Sequence, residues 1–184
     1  FLGLLQVNVV GENGMIFQSR VRKLDGMMDE GLNERVEADF RRWSRQPTVD
    51  GQMTLVDFEE QAVRTLARDG EVLIEIVRGS AYRDGVALNP IEADYLDETL
   101  NTVHPETKNE IKMGVEVDKY GRPVAYHLLH NHPGEATWFH VSNNKRYRRV
   151  DAVNIIHAFK RDRPGQTRGE PFAASVINSV RILD

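Results

Sequence analysis

The stretch TLVDFEEQAVRTLARDGEVLIEIVR, Thr54 to Arg78, changes its hydrophobic period halfway along and so decides the fold class. Leu55, Phe58, Ala62 and Leu66 recur at the three- and four-residue spacing of an amphipathic helix. Thr54-x-x-Asp57 is a capping-box pattern at its start. Asp69-Gly70 closes the helix, because glycine adopts the left-handed cap without a Cβ penalty. Val72, Leu73, Ile74, Ile76 and Val77 follow at once, a run too short and too apolar for a second surface helix. The spacing predicts a largely buried strand over Glu71 to Arg78.

Upstream, Leu32, Val36, Phe40 and Trp43 predict an amphipathic helix over Glu30 to Gln46, stopped by Pro47. Phe1 to Val10 reads as the end of a helix closed by Gly11 and Gly14, and Met15 to Lys23 as a strand. Downstream, Val86 to Ile91 is a short strand, and Thr99 to Glu110, polar and carrying Pro105, is a loop. Ile111 to Asp118 and Arg122 to Leu129 are two strands around the turn Asp118-Lys-Tyr-Gly121, the clearest hairpin in the chain. A turn follows at His130 to Gly134, then an irregular strand over Trp138 to Tyr147 and another over Asn154 to Lys160. Arg161 to Glu170 is a loop, and Pro171 suits the first turn of a closing helix. Helices first, then mostly antiparallel strands, then a helix is an α+β pattern, without the regular alternation of a doubly wound sheet.

The 184 residues suffice for one domain or a tight pair of subdomains. With 40% hydrophobic and 28% charged residues, the chain can bury a sizeable core. No apolar run reaches the roughly 18 residues of a membrane span. The absence of cysteine excludes disulfides and thiolate metal sites in these residues. The chain starts at Phe1 without a basic n-region and stops inside an apolar run, Val176 to Asp184, so a trimmed fragment is expected rather than a signal peptide.

A net charge of −4 argues against a protein that simply coats nucleic acid. The charges are segregated along the chain. Asp84 to Asp118 holds nine acids and two bases, and Asn143 to Arg168 holds eight bases and two acids. Either these segments are two solvated faces, or they are complementary surfaces that meet between subunits or within one chain.

Catalytic patterns are missing. His130-Asn131-His132 suggests a metal-dependent nuclease, but the residues of the HNH motif are spread along a ββα unit and are not adjacent. His104, His127, His140 and His157 have no zinc-type spacing, and the two on strands, His127 and His157, are expected to be hydrogen-bonded there. Gly165-Gln-Thr-Arg-Gly169 lacks the P-loop lysine. Glu92, Asp94, Asp97 and Glu98 do not have the spacing of a calcium loop. What remains is the basic loop of Lys160, Arg161, Arg163 and Arg168, which can touch phosphate, pair with a neighbouring subunit, or stay solvated.

Four segments, in order, resemble the lambda family of tailed-bacteriophage portal proteins. They are Asn8-Val-Val-Gly11 with Gly14, Leu66-Ala-Arg-Asp-Gly-Glu-Val-Leu73, the hairpin Gly114 to His127, and Ile155-Ile-His-Ala-Phe159 running into Arg163-Pro-Gly-Gln-Thr-Arg-Gly-Glu-Pro171. The resemblance covers nearly all of the chain. It implies one subunit of a homo-oligomeric ring, usually a dodecamer, at one capsid vertex of the virion, assembled in the host cytoplasm. It implies partners too: the terminase large subunit, capsid and scaffold proteins, a head–tail adaptor, and double-stranded DNA passing through during packaging and ejection. It implies no enzyme, no cofactor and no catalytic residue. A full portal is much longer, so the chain is expected to be the wing or body region, ending where a long helix begins.

Overall fold

A computed structural model describes residues 2–134 and 146–174. The elements are α1 (Leu2–Val9), α2 (Glu30–Trp43), α3 (Leu55–Asp69), β1 (Glu71–Arg78), β2 (Val86–Ile91), β3 (Thr102–Val103), β4 (Glu110–Lys112), β5 (Val115–Val117), β6 (Pro123–Leu129), β7 (Tyr147–Asp151) and β8 (Ile155–Phe159). The fold is α+β, with a three-stranded sheet in the order β2-β1-β8 and a five-stranded meander β3-β4-β5-β6-β7. The chain forms two compact units, residues 1–64 with 77–89, and residues 65–76 with 90–184.

In the first unit the expected helix boundaries hold to within a few residues. Asp29 caps α2 by accepting the Leu32 amide at 3.1 Å. The capping box at α3 is reciprocal: the Thr54 amide donates to Asp57 at 3.0 Å and the Asp57 amide donates to the Thr54 hydroxyl at 3.3 Å. The helix ends at Gly70, whose φ of +85° is the left-handed cap. Of the four stripe residues, Phe58 is fully buried and Leu55, Ala62 and Leu66 are half-buried.

The strand expected over Met15 to Lys23 is absent. No neighbouring strand satisfies its backbone, and a side chain takes that role. Asn33 on α2 accepts the Val21 amide at 2.7 Å and donates back to the Val21 carbonyl at 3.1 Å. It also accepts the Ser19 hydroxyl at 2.7 Å. The segment returns on itself through a single antiparallel bridge, Arg22 to Met28.

In the second unit β1 pairs antiparallel with β8, placing Leu73 opposite His157. The meander corrects two expectations. The run Ile111 to Asp118 is two strands, β4 and β5, because Met113 and Gly114 both take positive φ, 49° and 83°. That is the geometry of a two-residue hairpin turn, which usually announces itself as Asn-Gly. The loop over Thr99 to Glu110 contains β3, which pairs with β4. The hairpin at Asp118 to Gly121 joins β5 to β6 as expected, with the Asp118 amide donating to the Arg122 carbonyl at 2.9 Å. The expected strand over Trp138 to Tyr147 lies outside the described residues except at Arg146 and at Tyr147, which opens β7. The helix expected from Pro171 also lies outside them beyond Ala174.

Successive strand residues point to opposite faces. Val115, Val117, Tyr126 and Leu128 therefore share one face and join Leu73, Ile91, Leu96 and Ile155 in the core. Glu116 and His127 face the other way, yet they too are buried.

Candidate functional site

The buried reverse face of the meander is polar. Register puts His127 opposite Arg149, and Glu116 lies diagonally across from His127. Glu116 is wholly inaccessible to solvent, so each of its oxygens must be satisfied by the protein. One oxygen accepts from the Thr107 hydroxyl at 2.7 Å and the Asn109 amide at 2.9 Å. The other accepts from Arg149 Nε at 2.9 Å and faces His127 Nε2 at 3.2 Å. Burial alone would raise this carboxyl, but the bonds from Arg149, Asn109, Thr107 and His127 hold it far below the usual carboxylate range. Burial lowers His127, and the Glu116 carboxylate opposes that only in part.

His104, Glu116 and His127 bring one ligand atom each within 4.8 Å of one another. Several of the atoms there already have partners. His104 Nδ1 accepts the amide of Thr107 at 3.2 Å, and Arg149 donates to the Glu116 oxygen that faces His127. The geometry suits a buried ion pair better than a metal.

The second constellation is a clasp between the loop before Pro171 and the start of β1. Glu71 is buried and meets His157 Nε2 at 2.9 Å, Arg168 Nε at 2.6 Å and the Gly169 amide at 2.8 Å. Arg168 spends its remaining donors on the carbonyls of Leu96 and Met113, both at 3.1 Å, and of Ala93 at 3.2 Å. Burial opposes ionisation of Glu71, but these partners keep its carboxyl below the ordinary value. Backbones touch at the same place. A Cβ on Gly169 would collide with the Gly70 carbonyl, and one on Gly70 with the backbone of Glu170 and Pro171. Glycine is therefore required at both positions. Sequence reasoning missed Glu71 and Glu116; for Glu116 an acid between Val115 and Val117 was a readable signal, whereas Glu71 opens its strand next to Gly70 and carried none.

The clasp forms one wall of a cleft of about 620 Å³, with Glu92, Asp94, Glu98 and His132 among its lining residues. His132 Nε2 lies 3.0 Å from Glu92 and 3.6 Å from Asp94, in ion-pair range but without a hydrogen bond. Its Nδ1 accepts the Gly134 amide at 3.0 Å, so the ring carries its proton on Nε2, the atom that faces the acids. His130 does not join this cluster in any described contact, while His140 lies outside the described residues.

The basic loop divides. Arg168 turns inward to the clasp. Lys160, Arg161 and Arg163 are exposed: Lys160 pairs with Asp162 at 2.7 Å, and Arg161 sits over the Phe159 ring at 5.9 Å. Arg148 takes Glu75, outside the acidic segment, bidentately at 2.7 and 2.8 Å, while the two charged segments meet within the chain where Arg146 pairs with Asp97 at 3.2 Å and Arg149 with Glu116. The intrachain alternative therefore holds for these residues.

In this arrangement ionisable groups hold loops to strands. The family model described as "Phage portal protein, lambda family" matches residues 1–184. The chain belongs to the lambda family of phage portal proteins. A relative from Halomonas phage phiHAP-1, named "Probable portal protein", is 39% identical over 186 residues, which cover 100% of this chain and 35% of the relative. The portal chain thus spans about a third of that relative's length. The Arg168 clasp joins two of the segments that carried the portal resemblance, Leu66 to Leu73 through Gly70 and Glu71, and Arg163 to Pro171 through Arg168 and Gly169. Among the described residues no helix is long and apolar enough to cross a membrane.

Proposed function

We propose that this chain is the wing or body region of a subunit of the ring-shaped portal at the capsid vertex. The ring, a dodecamer, forms the channel through which double-stranded DNA enters during packaging and leaves during ejection. It docks the terminase large subunit, contacts capsid and scaffold proteins, and later takes a head–tail adaptor. Assembly takes place in the host cytoplasm and the product resides in the virion. The observation that carries this reading is the family match over all 184 residues. The role is structural, and the bonds that Thr107 makes to His104 and Arg149 makes to Glu116 support a reading without metal chemistry there. Negative-stain imaging and native mass spectrometry of the full-length protein test it. Closed rings of about twelve copies are expected, and a protein that stays monomeric at micromolar concentration overturns the reading.

Lys160, Arg161 and Arg163 are the outward part of the basic loop and face either the neighbouring subunit or DNA. Arg161→Glu with Arg163→Glu separates the two. Lost rings with a folded subunit place the loop at the subunit boundary. Intact rings with reduced DNA packaging place it toward DNA.

A further inference from the structure

The two ring nitrogens of His132 have opposite surroundings. Nε2 is buried, lies 3.0 Å from Glu92 and 3.6 Å from Asp94, and has no hydrogen-bond partner. Nδ1 accepts the Gly134 amide at 3.0 Å across an exposed turn. The ring is placed by an edge contact with Tyr95, 5.5 Å between centroids. Gly134 fits closely against it, since a Cβ there would come within 3.0 Å of Nδ1.

The other charges that share the cleft with this ring fall into two groups. At the end of α3, Arg68 is taken by Asp69 through two bonds at 2.7 Å, with a weaker attraction from Glu92 and Asp94. At the clasp, Arg168 is taken by Glu71. These two pairs cancel their own charges. Glu92, Asp94 and Glu98 remain as the acids of the cleft, and the first two face His132 directly. The surroundings of Nε2 therefore favour a positive ring, while the amide at Nδ1 favours a neutral one.

A neutral imidazole has one N–H, and here Nε2 carries it because Nδ1 offers its lone pair to Gly134. A proton from solvent then adds at Nδ1. It turns an acceptor into a donor that faces a second donor at 3.0 Å, so that contact breaks. Gly134 is exposed, and water replaces the lost acceptor. At Nε2 the same proton acts the other way, because a charged N–H forms stronger bonds to carboxylates than a neutral one. Histidine is the side chain whose ordinary charge change falls between pH 5 and 8. We propose that His132 is an acid-operated latch: neutral, it holds the Pro133-Gly134 turn through Nδ1; protonated, it releases that turn and is held to Glu92 and Asp94 instead.

Rapid-mixing hydrogen exchange of the full-length protein, read by mass spectrometry from about pH 8 to about pH 5, tests the latch. Exchange of the Gly134 amide is corrected for its intrinsic pH dependence. Slow exchange of the imidazole C2 hydrogen reports protonation of His132 in the same protein. Gly134 protection should fall by about threefold or more, as for loss of a hydrogen bond of ordinary net strength, and it should share its midpoint with His132. His132→Asn should keep Gly134 protected across the range, because the Asn Oδ1 takes the place of Nδ1 and does not titrate. His132→Ala should leave it unprotected throughout. Glu92→Gln with Asp94→Asn should move the His132 midpoint about half a unit or more to lower pH, since both acids favour the charged ring. Constant Gly134 protection through the titration overturns the proposal. So does a ring that stays neutral down to pH 5, a midpoint unmoved in the double variant, or a pH dependence that survives in His132→Asn.

Discussion

In the unit that carries the meander, carboxylates lie inside. Glu71 and Glu116 are both buried, each answered by an arginine, a histidine and further donors. In the unit that begins with α1, the apolar side chains of residues 15–28 stand in water while the single amide of Asn33 ties the backbone beneath them. In the first of these units the two buried carboxylates have their partners within the unit. The other keeps apolar surface unspent, and its order comes from local hydrogen bonds. A buried charge depends on its partner, and removing that partner destabilises the subunit that holds it. An apolar side chain in water contributes only once something covers it.

Arg168→Ala should break the first half of this contrast most severely. It strands a buried carboxylate and frees three carbonyls, so a loss of about 3–5 kcal/mol is expected by urea denaturation. Arg168→Lys should not restore it, because an ammonium cannot reproduce the guanidinium fork. A loss under about 1 kcal/mol would mean that the clasp is solvated and the contrast false.

Asn33→Ala tests the other half. Leaving the Val21 amide and the Ser19 hydroxyl without partners should cost about 1–3 kcal/mol. Hydrogen exchange should rise in residues 19–29 while the meander keeps its protection. Equal loosening of both regions would show that the hairpin is not held locally.

The pH dependence should come from the meander unit. Glu71 and Glu116 are depressed from their ordinary 4.5, so their stabilisation is present above that pH and is lost as pH falls through their folded values. His127 is depressed from 6.5, so the unfolded chain takes up that proton first and stability begins to fall below about pH 6.5. Glu116→Gln should be less stable at neutral pH and flatter on acidification. An equally steep acid limb in the variant would assign the effect elsewhere.

The smallest effect is expected at Leu24. Leu24→Ser in the unassembled subunit should leave the thermal midpoint unchanged, because the residue touches nothing there. A measurable destabilisation of the isolated subunit would show that Leu24 packs within its own chain.

How legible this was in the sequence varied with how local the deciding physics is. The capping box, the Gly70 terminus and the Asp118 hairpin depend on neighbours within about four residues, and all three were readable. The strand expected over Met15 to Lys23 failed because its partner is a side chain on α2, not a second strand. The Met113-Gly114 turn was hidden because methionine rarely takes positive φ, and here register and burial impose it.

The basic loop shows the same limit at the level of the site. Lys160, Arg161, Arg163 and Arg168 are alike as letters, and the structure sends only Arg168 inward, to a glutamate 97 positions away. The sequence alone determined the α+β class, the portal family resemblance and the elements whose hydrogen bonds close locally. Tertiary structure decided which charges are buried and which apolar residues are left uncovered. Burial and pairing are set by groups distant in the chain, and the same side chain changes its energetic role once water is removed from around it.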